Sequence, residues 1–362
     1  MRNRPLLFAV SGVKNSGKTT LIRQLIPVLS EMGLKTAVIK HDGHEFEADV
    51  PGTDSYSHMQ AGAYGTAVFS GTKYMLVKQK AVTELELAEQ FPEADVILLE
   101  GMKYSPYPKI ELVRQGNSAE PVCDPKTLFA VVTDIEGFRT PSGWEERIPV
   151  IGFSDVHEIA ELLLDGLFIQ RQLSMAVLAG GLSSRMGQDK AGLQYKGQSF
   201  LQCQTEKGQR LGIGDILVSG YRGQCGWNVV QDHFREKGPL GGLEAVLREA
   251  VHDYVLVLPV DVPQLPLSAL RTLVRAGRRT SAPAVVLSHG GRTEPLIGIY
   301  RAKLAELAKK RLSEGRGSVF AFLKEAGCQV CETGEPEEFF RNINTPEAYE
   351  ALTATHRKTY SE

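Results

Sequence analysis

The chain contains one pattern twice: an apolar run that leads into a glycine-rich loop. Near the N-terminus, LLFAVSG (6–12) leads into the loop SGVKNSGKTT, which starts at Ser11. In the second half, MAVLAGG (175–181) leads into LAGGLSSRMGQDK, which starts at Leu178. A strand followed by a glycine loop and a helix suits phosphates, because backbone N–H groups and the helix N-terminus both favour anions. The sequence therefore predicts two separate phosphate-binding units.

Apolar runs alternate with helical patterns along both halves. VILLEG (96–101) and YVLVLPVD (254–261), for example, are apolar on both faces, as in strands that helices cover on both sides. This alternation favours mainly parallel sheets. The length of 362 residues fits two domains, and we predict an α/β fold with two mainly parallel-sheet domains, over 1–167 and 174–356. The boundary is placed in GLFIQRQLS (166–174), because the segments on either side complete or begin a unit.

Charge, hydropathy and cysteine content exclude several classes of protein. The formal net charge of -2 provides no basic field for nucleic acid. Apolar runs are shorter than the roughly 20 residues that a membrane helix needs. The five cysteines are an odd number and are scattered, unlike a disulfide framework. We therefore expect a cytoplasmic protein that binds neither nucleic acid nor a membrane.

The first loop matches the P-loop pattern, in which four residues separate Gly12 from Gly17 and Lys18 and Thr19 follow directly. In such loops the glycines turn N–H groups toward a phosphate, the lysine reaches the β- and γ-phosphates, and the hydroxyl ligates Mg²⁺. A chance glycine turn before a helix is the alternative, which the agreement of spacing and context disfavours. We predict a nucleotide site here, with Thr19 as a Mg²⁺ ligand.

An acidic residue at the end of another strand usually completes a P-loop site. VILLEG ends in Glu100, at the edge where ligands bind in parallel sheets, whereas Asp95 precedes the run. We predict that Glu100 contacts Mg²⁺ or a bound water, with a solvated strand-end carboxylate as the alternative. His41 and His44 follow another strand and have metal-ligand chemistry, but a polar loop is the simpler interpretation.

The second loop, LAGGLSSRMGQDK, lacks the GK[ST] ending and contains Arg185 and Lys190. A long glycine loop with two cations can wrap a triphosphate from outside and neutralise it. This arrangement suits attack at the α-phosphate, with pyrophosphate as the leaving group. We predict Lys190 and Arg185 as catalytic residues that stabilise charge on the phosphates.

A carboxylate at the end of a buried strand supplies the second part of this predicted site. The run YVLVLPV ends at Asp261, which places one carboxylate at the ligand-binding edge of the sheet. Mg²⁺ prefers oxygen ligands, so Asp261 is the predicted ligand. An aspartate that only begins a turn before Pro263 is the alternative. Asp232, at the end of WNVVQD, is a second carboxylate near a strand end.

Motifs in both halves resemble known families. LAGGLSSRMGQDK, together with KGPLGG, LPVDVP and NINTPEAY (342–349), resembles the molybdenum cofactor guanylyltransferases. GVKNSGKTTLIRQLIP, VIKHDGHEFEADVPGTDSY and ILLEGMKY resemble the molybdopterin-guanine dinucleotide biosynthesis adapter protein. The resemblance spans nearly all of the chain. It implies a fusion of a P-loop NTPase-like, GTP-binding adapter domain with a Rossmann-like nucleotidyltransferase domain.

The resemblance also implies residue roles in the second domain. The residues implied to bind the guanine nucleotide are Leu178, Ala179, Gly180, Gly181, Lys190, Ser219 and Asp232. Asp261 would hold Mg²⁺, and Asn342 and Asn344 would lie beside the site. Ser219 stands where relatives often have asparagine.

The activity implied by the resemblance is a Mg²⁺-dependent transfer of GMP from GTP to molybdopterin, with or without bound molybdenum. GTP is then the substrate of the second domain and also the P-loop ligand of the first, which would assist the transfer or deliver the cofactor. The implied partners are apo molybdoenzymes or their chaperones, and a second copy of the chain bound through the N-terminal domain. One alternative is a cytidylyltransferase or sugar-phosphate nucleotidyltransferase, and another is a nucleotide-gated delivery protein. The resemblance ties LAGG to guanine and LAAG to cytosine, so Gly180 favours GTP.

Overall fold

The computed structural model describes residues 4–42, 46–141, 144, 148–180, 189–234 and 237–359. Within these residues two sheets of six and seven strands form, each packed against helices. The predicted α/β class with two mainly parallel sheets is confirmed. In the part of the chain that the structure describes, no helix has both the length and the apolar character needed to cross a bilayer.

The N-terminal half contains eight strands and four α-helices among its described residues. The strands are β1 (Leu6–Gly12), β2 (Thr36–Lys40), β3 (Gly65–Phe69), β4 (Tyr74–Lys78), β5 (Val96–Glu100), β6 (Lys109–Val113), β7 (Leu128–Thr133) and β8 (Val150–Gly152). The helices are α1 (Lys18–Glu31), α2 (Asp54–Gln60), α3 (Glu84–Ala88) and α4 (Val156–Gln172). Six strands form a parallel sheet in the order β2-β5-β1-β6-β7-β8, and β3 and β4 form a separate antiparallel hairpin.

The C-terminal half contains nine strands and six α-helices among its described residues. The strands are β9 (Leu173–Leu178), β10 (Gln194–Tyr195), β11 (Gln198–Ser199), β12 (Ile216–Ser219), β13 (Asn228–Val230), β14 (Tyr254–Pro259), β15 (Ala284–His289), β16 (Arg292–Arg301) and β17 (Gln329–Glu332). The helices are α5 (Phe200–Leu211), α6 (Pro239–Glu249), α7 (Leu267–Arg279), α8 (Leu304–Ser313), α9 (Val319–Ala326) and α10 (Pro346–Thr359). The main sheet has the order β13-β12-β9-β14-β16-β15-β17, in which β16 alone runs antiparallel to its neighbours.

Burial explains why these segments fold as they do. Every residue of β5, β9 and β14 is buried except Tyr254, as expected for strands with helices on both faces. In α1 the buried side chains recur at helical spacing and face the sheet: Leu21, Ile22, Leu25 and Leu29. The parallel strands bring their carboxyl ends, and the loops that follow them, to one edge of each sheet.

The two halves meet through α4 and α7. Arg275 and Arg278 of α7 donate to the buried Asp165 carboxylate of α4, at 3.0 and 2.8 Å. Arg271 donates to the backbone oxygens of Leu128 and Phe129, at the start of β7. Helix α4 continues through Gly166 to Gln172, and β9 begins at the next residue.

Candidate functional site

The first glycine loop follows β1 and requires glycine at both ends. Gly12 has a φ of +137°, and a Cβ there would lie 2.7 Å from the Leu112 carbonyl oxygen. Gly17 has a φ of +91° and caps the N-terminus of α1. Both conformations are rarely open to residues with a side chain. The loop therefore presents its backbone at the start of α1, as a phosphate site needs.

The Lys18 and Thr19 side chains have different partners beside this loop. Lys18 Nζ donates to the backbone oxygens of Val13 (2.7 Å) and Gly12 (3.3 Å), and burial lowers the pKa of Lys18. Thr19 Oγ1 donates to Glu100 Oε1 at 2.6 Å. The predicted lysine thus closes over the loop, while the two predicted Mg²⁺ ligands are in direct contact. Hydroxyl and carboxylate oxygens fit Mg²⁺, which usually binds one or two protein oxygens together with phosphates and water.

The other acidic and basic candidates of the N-terminal half lie elsewhere. Asp95 lies at the opposite end of β5, where it accepts from Arg171 Nη1 (3.0 Å) and the Lys35 N–H (3.0 Å). Its role is structural, because it joins the ends of two strands and α4. His41 is exposed in the loop after β2, and His44 lies outside the described residues.

A guanidinium that the sequence analysis missed lies beside the P-loop. Arg114 follows β6, its guanidinium lies 4.2 Å from the Phe153 ring centroid, and its Nε donates to Asp134 at 2.7 Å. A Cβ on Gly17 would come within 2.8 Å of Arg114 Nη1. Asn117 also reaches the loop and donates to the Lys14 carbonyl oxygen at 3.1 Å. The only signal in the sequence was the arginine at the carboxyl end of an apolar run.

The second candidate site forms where β9 and β14 end side by side. Leu178 pairs with Pro259, and the Val260 N–H donates to the Leu178 oxygen at 3.1 Å. Asp261 follows directly, and its Oδ2 accepts from Lys190 Nζ at 3.1 Å. Lys190 is placed by a short 3-10 turn (Lys190–Gly192) that Asp189 caps through the Ala191 N–H.

The segment after β17 completes this cluster. Lys190 Nζ also donates to Asn344 Oδ1, and the Ile343 N–H donates to the Asp261 backbone oxygen at 2.8 Å. Asn342 is partly exposed, two residues from Asn344. The structure therefore brings Lys190, Asp261 and Asn344 together, although 154 residues separate Lys190 from Asn344. Gly181 and Arg185 lie outside the described residues, so their assignments stay predictions.

A second group of predicted residues lies at the carboxyl end of the neighbouring strand. Ser219 ends β12 and pairs with Leu178, and its Oγ donates to Asp232 Oδ1 at 2.7 Å. Gly180 packs closely against Gly220, the residue that follows β12. A Cβ on Gly180 would lie 3.1 Å from Gly220 Cα and 3.8 Å from Asp232 Oδ2. Leu178, Ala179 and Gly180 thus lie between the Asp261 cluster and the Ser219–Asp232 pair. The lack of a side chain at Gly180 lets the chain after β9 pack closely against Gly220 at the end of β12.

Helix α6 closes this side of the second site through Gly242, the last glycine of the run GPLGG. A Cβ on Gly242 would lie 2.8 Å from Ser219 Oγ and 3.7 Å from Asp232 Oδ2. The glycines of GPLGG predict the close approach of a ligand, and at Gly242 the structure shows the Ser219 side chain in that space.

The donor set of the second site suits a hard divalent cation. Asp261 offers a carboxylate with a side-chain exposure of 16%, and Asn344 offers an amide oxygen nearby. Groups of three or more histidine, cysteine, aspartate or glutamate side chains that could hold a metal ion by themselves do not occur among the described residues. Mg²⁺ fits, because it keeps water and substrate phosphates as most of its ligands. The site thus places one carboxylate, one amide oxygen and one ammonium group together.

Two family models match the chain, one in each of the two halves seen in the fold. Residues 7–134 match the family model described as molybdopterin guanine dinucleotide synthesis protein B. Residues 175–328 match the model described as the MobA-like NTP transferase domain. The first match contains the P-loop and Glu100, and the second contains Lys190, Ser219 and Asp261.

Two curated relatives agree with the second of these matches. A probable molybdenum cofactor guanylyltransferase of Carboxydothermus hydrogenoformans is 33% identical over 190 residues, which are 50% of this chain and 95% of the relative. The molybdenum cofactor guanylyltransferase of Pseudomonas aeruginosa PAO1 is 34% identical over 192 residues, 51% of this chain and 94% of the relative. The crystal structure of Bacillus subtilis MobB covers 44% of this chain and 96% of its own, with 29% identity and a TM-score of 0.36.

Proposed function

This chain belongs to the molybdenum cofactor guanylyltransferase family, and we propose that its C-terminal half transfers GMP from GTP to molybdopterin, with or without bound molybdenum, and releases pyrophosphate. The product is a molybdopterin guanine dinucleotide. The observation that supports this proposal most is the meeting of Lys190, Asp261 and Asn344 at the carboxyl edge of the second sheet. These residues offer a cation for phosphate and oxygens for Mg²⁺ at one place.

The reaction needs in-line attack and charge stabilisation but no covalent enzyme intermediate. A terminal phosphate oxygen of molybdopterin forms a bond to the α-phosphorus of GTP. The bond from that phosphorus to the bridging oxygen breaks, and pyrophosphate leaves with the electron pair. When bound at Asp261, Mg²⁺ would neutralise charge on the phosphates. Lys190 exchanges its contacts with Asp261 and Asn344 for phosphate oxygens, and Arg185 adds a second positive charge.

The other residues of the second site orient the nucleotide. Leu178, Ala179 and Gly180 provide a backbone surface for the base, and the Ser219–Asp232 pair provides hydroxyl and carboxylate groups for the base or ribose. Asn342 and Asn344 lie on the acceptor side. The curated relatives are named for guanylyl transfer, which disfavours cytidylyl or sugar-phosphate transfer as the activity.

For the N-terminal half, the proposed ligand is GTP at the P-loop. Gly12, Gly17 and Lys18 hold its phosphates, and the contact between Thr19 and Glu100 supports the proposal that these two side chains bind Mg²⁺. This half then assists the transfer or delivers the finished cofactor to apo molybdoenzymes or their chaperones. All five cysteines have free thiols, which suits the reducing cytoplasm, where we place the protein.

A second copy of the chain is the proposed partner of the β3–β4 hairpin. A two-stranded hairpin is marginally stable alone in water. Phe69 and Tyr74, which face each other across its end, are 84% and 72% exposed, and Val68 and Leu76 are about half exposed. These apolar side chains gain a contact surface if two N-terminal domains associate through the hairpin.

Pyrophosphate release tests the proposed transfer. Purified protein with Mg²⁺, GTP and molybdopterin should release pyrophosphate, and omission of molybdopterin should abolish the release. Lys18→Ala serves as the control, because it removes the P-loop cation and leaves the second site intact. Release without molybdopterin would indicate hydrolysis of GTP in place of transfer, and no release from folded protein would move the chain toward a nucleotide-gated delivery role.

A further inference from the structure

Helix α5 places two buried polar side chains behind the loop that contains Asp261. Gln204 is fully buried, and Lys207, one turn further along the helix, is only 8% exposed. Lysine is seldom buried without partners, since the loss of hydration is costly. A buried glutamine and a buried lysine on one helix face therefore require hydrogen-bond partners, and both find them in the same loop.

Each of these side chains donates to backbone oxygens of the loop. Gln204 Nε2 donates to the Pro259 oxygen at 3.0 Å and to the Val262 oxygen at 2.8 Å. Lys207 Nζ donates to Gln204 Oε1 at 2.9 Å and to the Pro263 oxygen at 3.0 Å. These three carbonyl groups lie on both sides of Asp261 in the sequence. The pair thus joins the end of β14 to the turn that follows it.

Two further hydrogen bonds fix the loop from the other sides. The Val260 N–H donates to the Leu178 oxygen at 3.1 Å, and the Asp261 oxygen accepts from the Ile343 N–H at 2.8 Å. The backbone on both sides of Asp261 is therefore held by β9 and α5, and the Asp261 oxygen is held by the segment that contains Asn344. Its carboxylate is the part left to face Lys190.

We propose that Gln204 and Lys207 are positioning residues, which set the place of the Asp261 carboxylate for the metal–nucleotide complex; this inference rests on the proposed function. Loss of either donor leaves a buried carbonyl unsatisfied, and the loop then shifts to find another partner. A displacement of about 1 Å at a reacting group can lower a rate by about 100-fold. The effect therefore appears first in metal binding and turnover.

The test compares Gln204→Leu and Lys207→Met with Thr205→Val, all in a Lys18→Ala background that removes the P-loop site. Thr205 is equally buried on α5, but its hydroxyl donates only within the helix, to the Leu201 and Gln202 oxygens. Mn²⁺ binding with GTP, measured by electron paramagnetic resonance without molybdopterin, is the first readout. We expect about tenfold weaker Mn²⁺ binding for the first two variants and an unchanged value for Thr205→Val.

The second readout is pyrophosphate release. We expect kcat to fall by about 30- to 100-fold in Gln204→Leu, with the KM for GTP within about threefold of the parent value. Lys207→Arg keeps a cationic donor and should recover most of the loss. If Gln204→Leu does not fold, Gln204→Glu replaces it, because the carboxylate keeps the volume and a partner for Lys207 but cannot donate to the loop.

Two results would overturn the inference: parent Mn²⁺ affinity in the folded variants, or an equal loss in Thr205→Val. Because the Mn²⁺ measurement needs no molybdopterin, it remains informative if the proposed transfer is wrong. If only the proposed transfer is wrong, the variants will still differ in Mn²⁺ affinity as expected, but none of them will release pyrophosphate.

Discussion

Replacing Asp261 by asparagine removes one negative charge from the second site with little change in shape. The carboxylate lies 3.1 Å from Lys190 Nζ, and at an effective dielectric constant of about 20 this distance gives a gross attraction of about 5 kcal/mol. The cost of removing both groups from water offsets most of this attraction, because the two side chains are only 16% and 22% exposed. We therefore expect Asp261→Asn to change the free energy of unfolding by only about 1 kcal/mol.

Turnover should respond far more strongly than stability. The amide is a weaker ligand for Mg²⁺ than the carboxylate, and the leaving pyrophosphate gains charge that the metal would neutralise. A loss of about 3 kcal/mol in transition-state stabilisation corresponds to a fall in kcat/KM of about 100-fold or more. Steady-state pyrophosphate release over a range of Mg²⁺ concentrations measures this fall, and urea denaturation measures the stability.

Asp253→Asn is the matched control, because Asp253 is exposed just before the opposite end of β14. It makes the same chemical change beside the other end of this strand and should leave kcat/KM within about twofold. The reasoning is refuted if Asp261→Asn keeps kcat/KM within threefold of wild type. It is also refuted if the activity loss is matched by an equal loss of folding free energy, since Asp261 would then act only in the fold.

Three further predictions follow from other contacts. Gly220→Ala should lower the free energy of unfolding by about 2 kcal/mol or more in urea denaturation, because Gly220 has a φ of +72° and a Cβ there would lie 2.4 Å from Gly180 Cα. Gly214→Ala should not lower it, because a Cβ at Gly214 would meet nothing within 4 Å. Lys18→Ala should lower the number of GTP molecules bound per chain in equilibrium dialysis from two to one, and pterin-dependent pyrophosphate release should stay within about threefold of the wild-type rate. A large loss of release would contradict separate roles for the two sites. Phe69→Ser should weaken self-association at least about tenfold in sedimentation analysis, whereas Val50→Ser, also exposed but outside the hairpin, should not; a monomeric wild type would end the dimer proposal.

The strands and the first glycine loop were predictable because their signals are local. Strands such as β5 and β14 are continuous apolar runs, and their burial on both faces follows from the parallel sheet. Glu100 and Asp261 could be placed at a ligand-binding edge for the same reason, since each follows or ends such a run. The contact between Thr19 and Glu100 agrees with this placement, although 81 residues separate them.

Features that depend on distant partners could not be derived from local patterns. The direction of β16 is not encoded in its apolar pattern, which is the same for parallel and antiparallel pairing. Helix α5 buries Gln204 and Lys207, and buried polar residues interrupt the apolar spacing that identifies a helix. The bond between Ser219 and Asp232 joins two strand ends, and Arg114 reaches the P-loop only because β6 lies beside β1. These contacts arise from the order of strands in the sheet.

The identity of the nucleotide product tests the central claim most directly. Purified protein is incubated with Mg²⁺, molybdopterin and equal concentrations of GTP, CTP and ATP, and the products are analysed by mass spectrometry. The proposed function predicts a dinucleotide of molybdopterin with GMP, together with pyrophosphate, and loss of this product in Asp261→Asn. A dinucleotide with CMP or AMP as the main product would contradict guanylyl transfer, and unmodified molybdopterin after incubation with folded protein would contradict transfer itself.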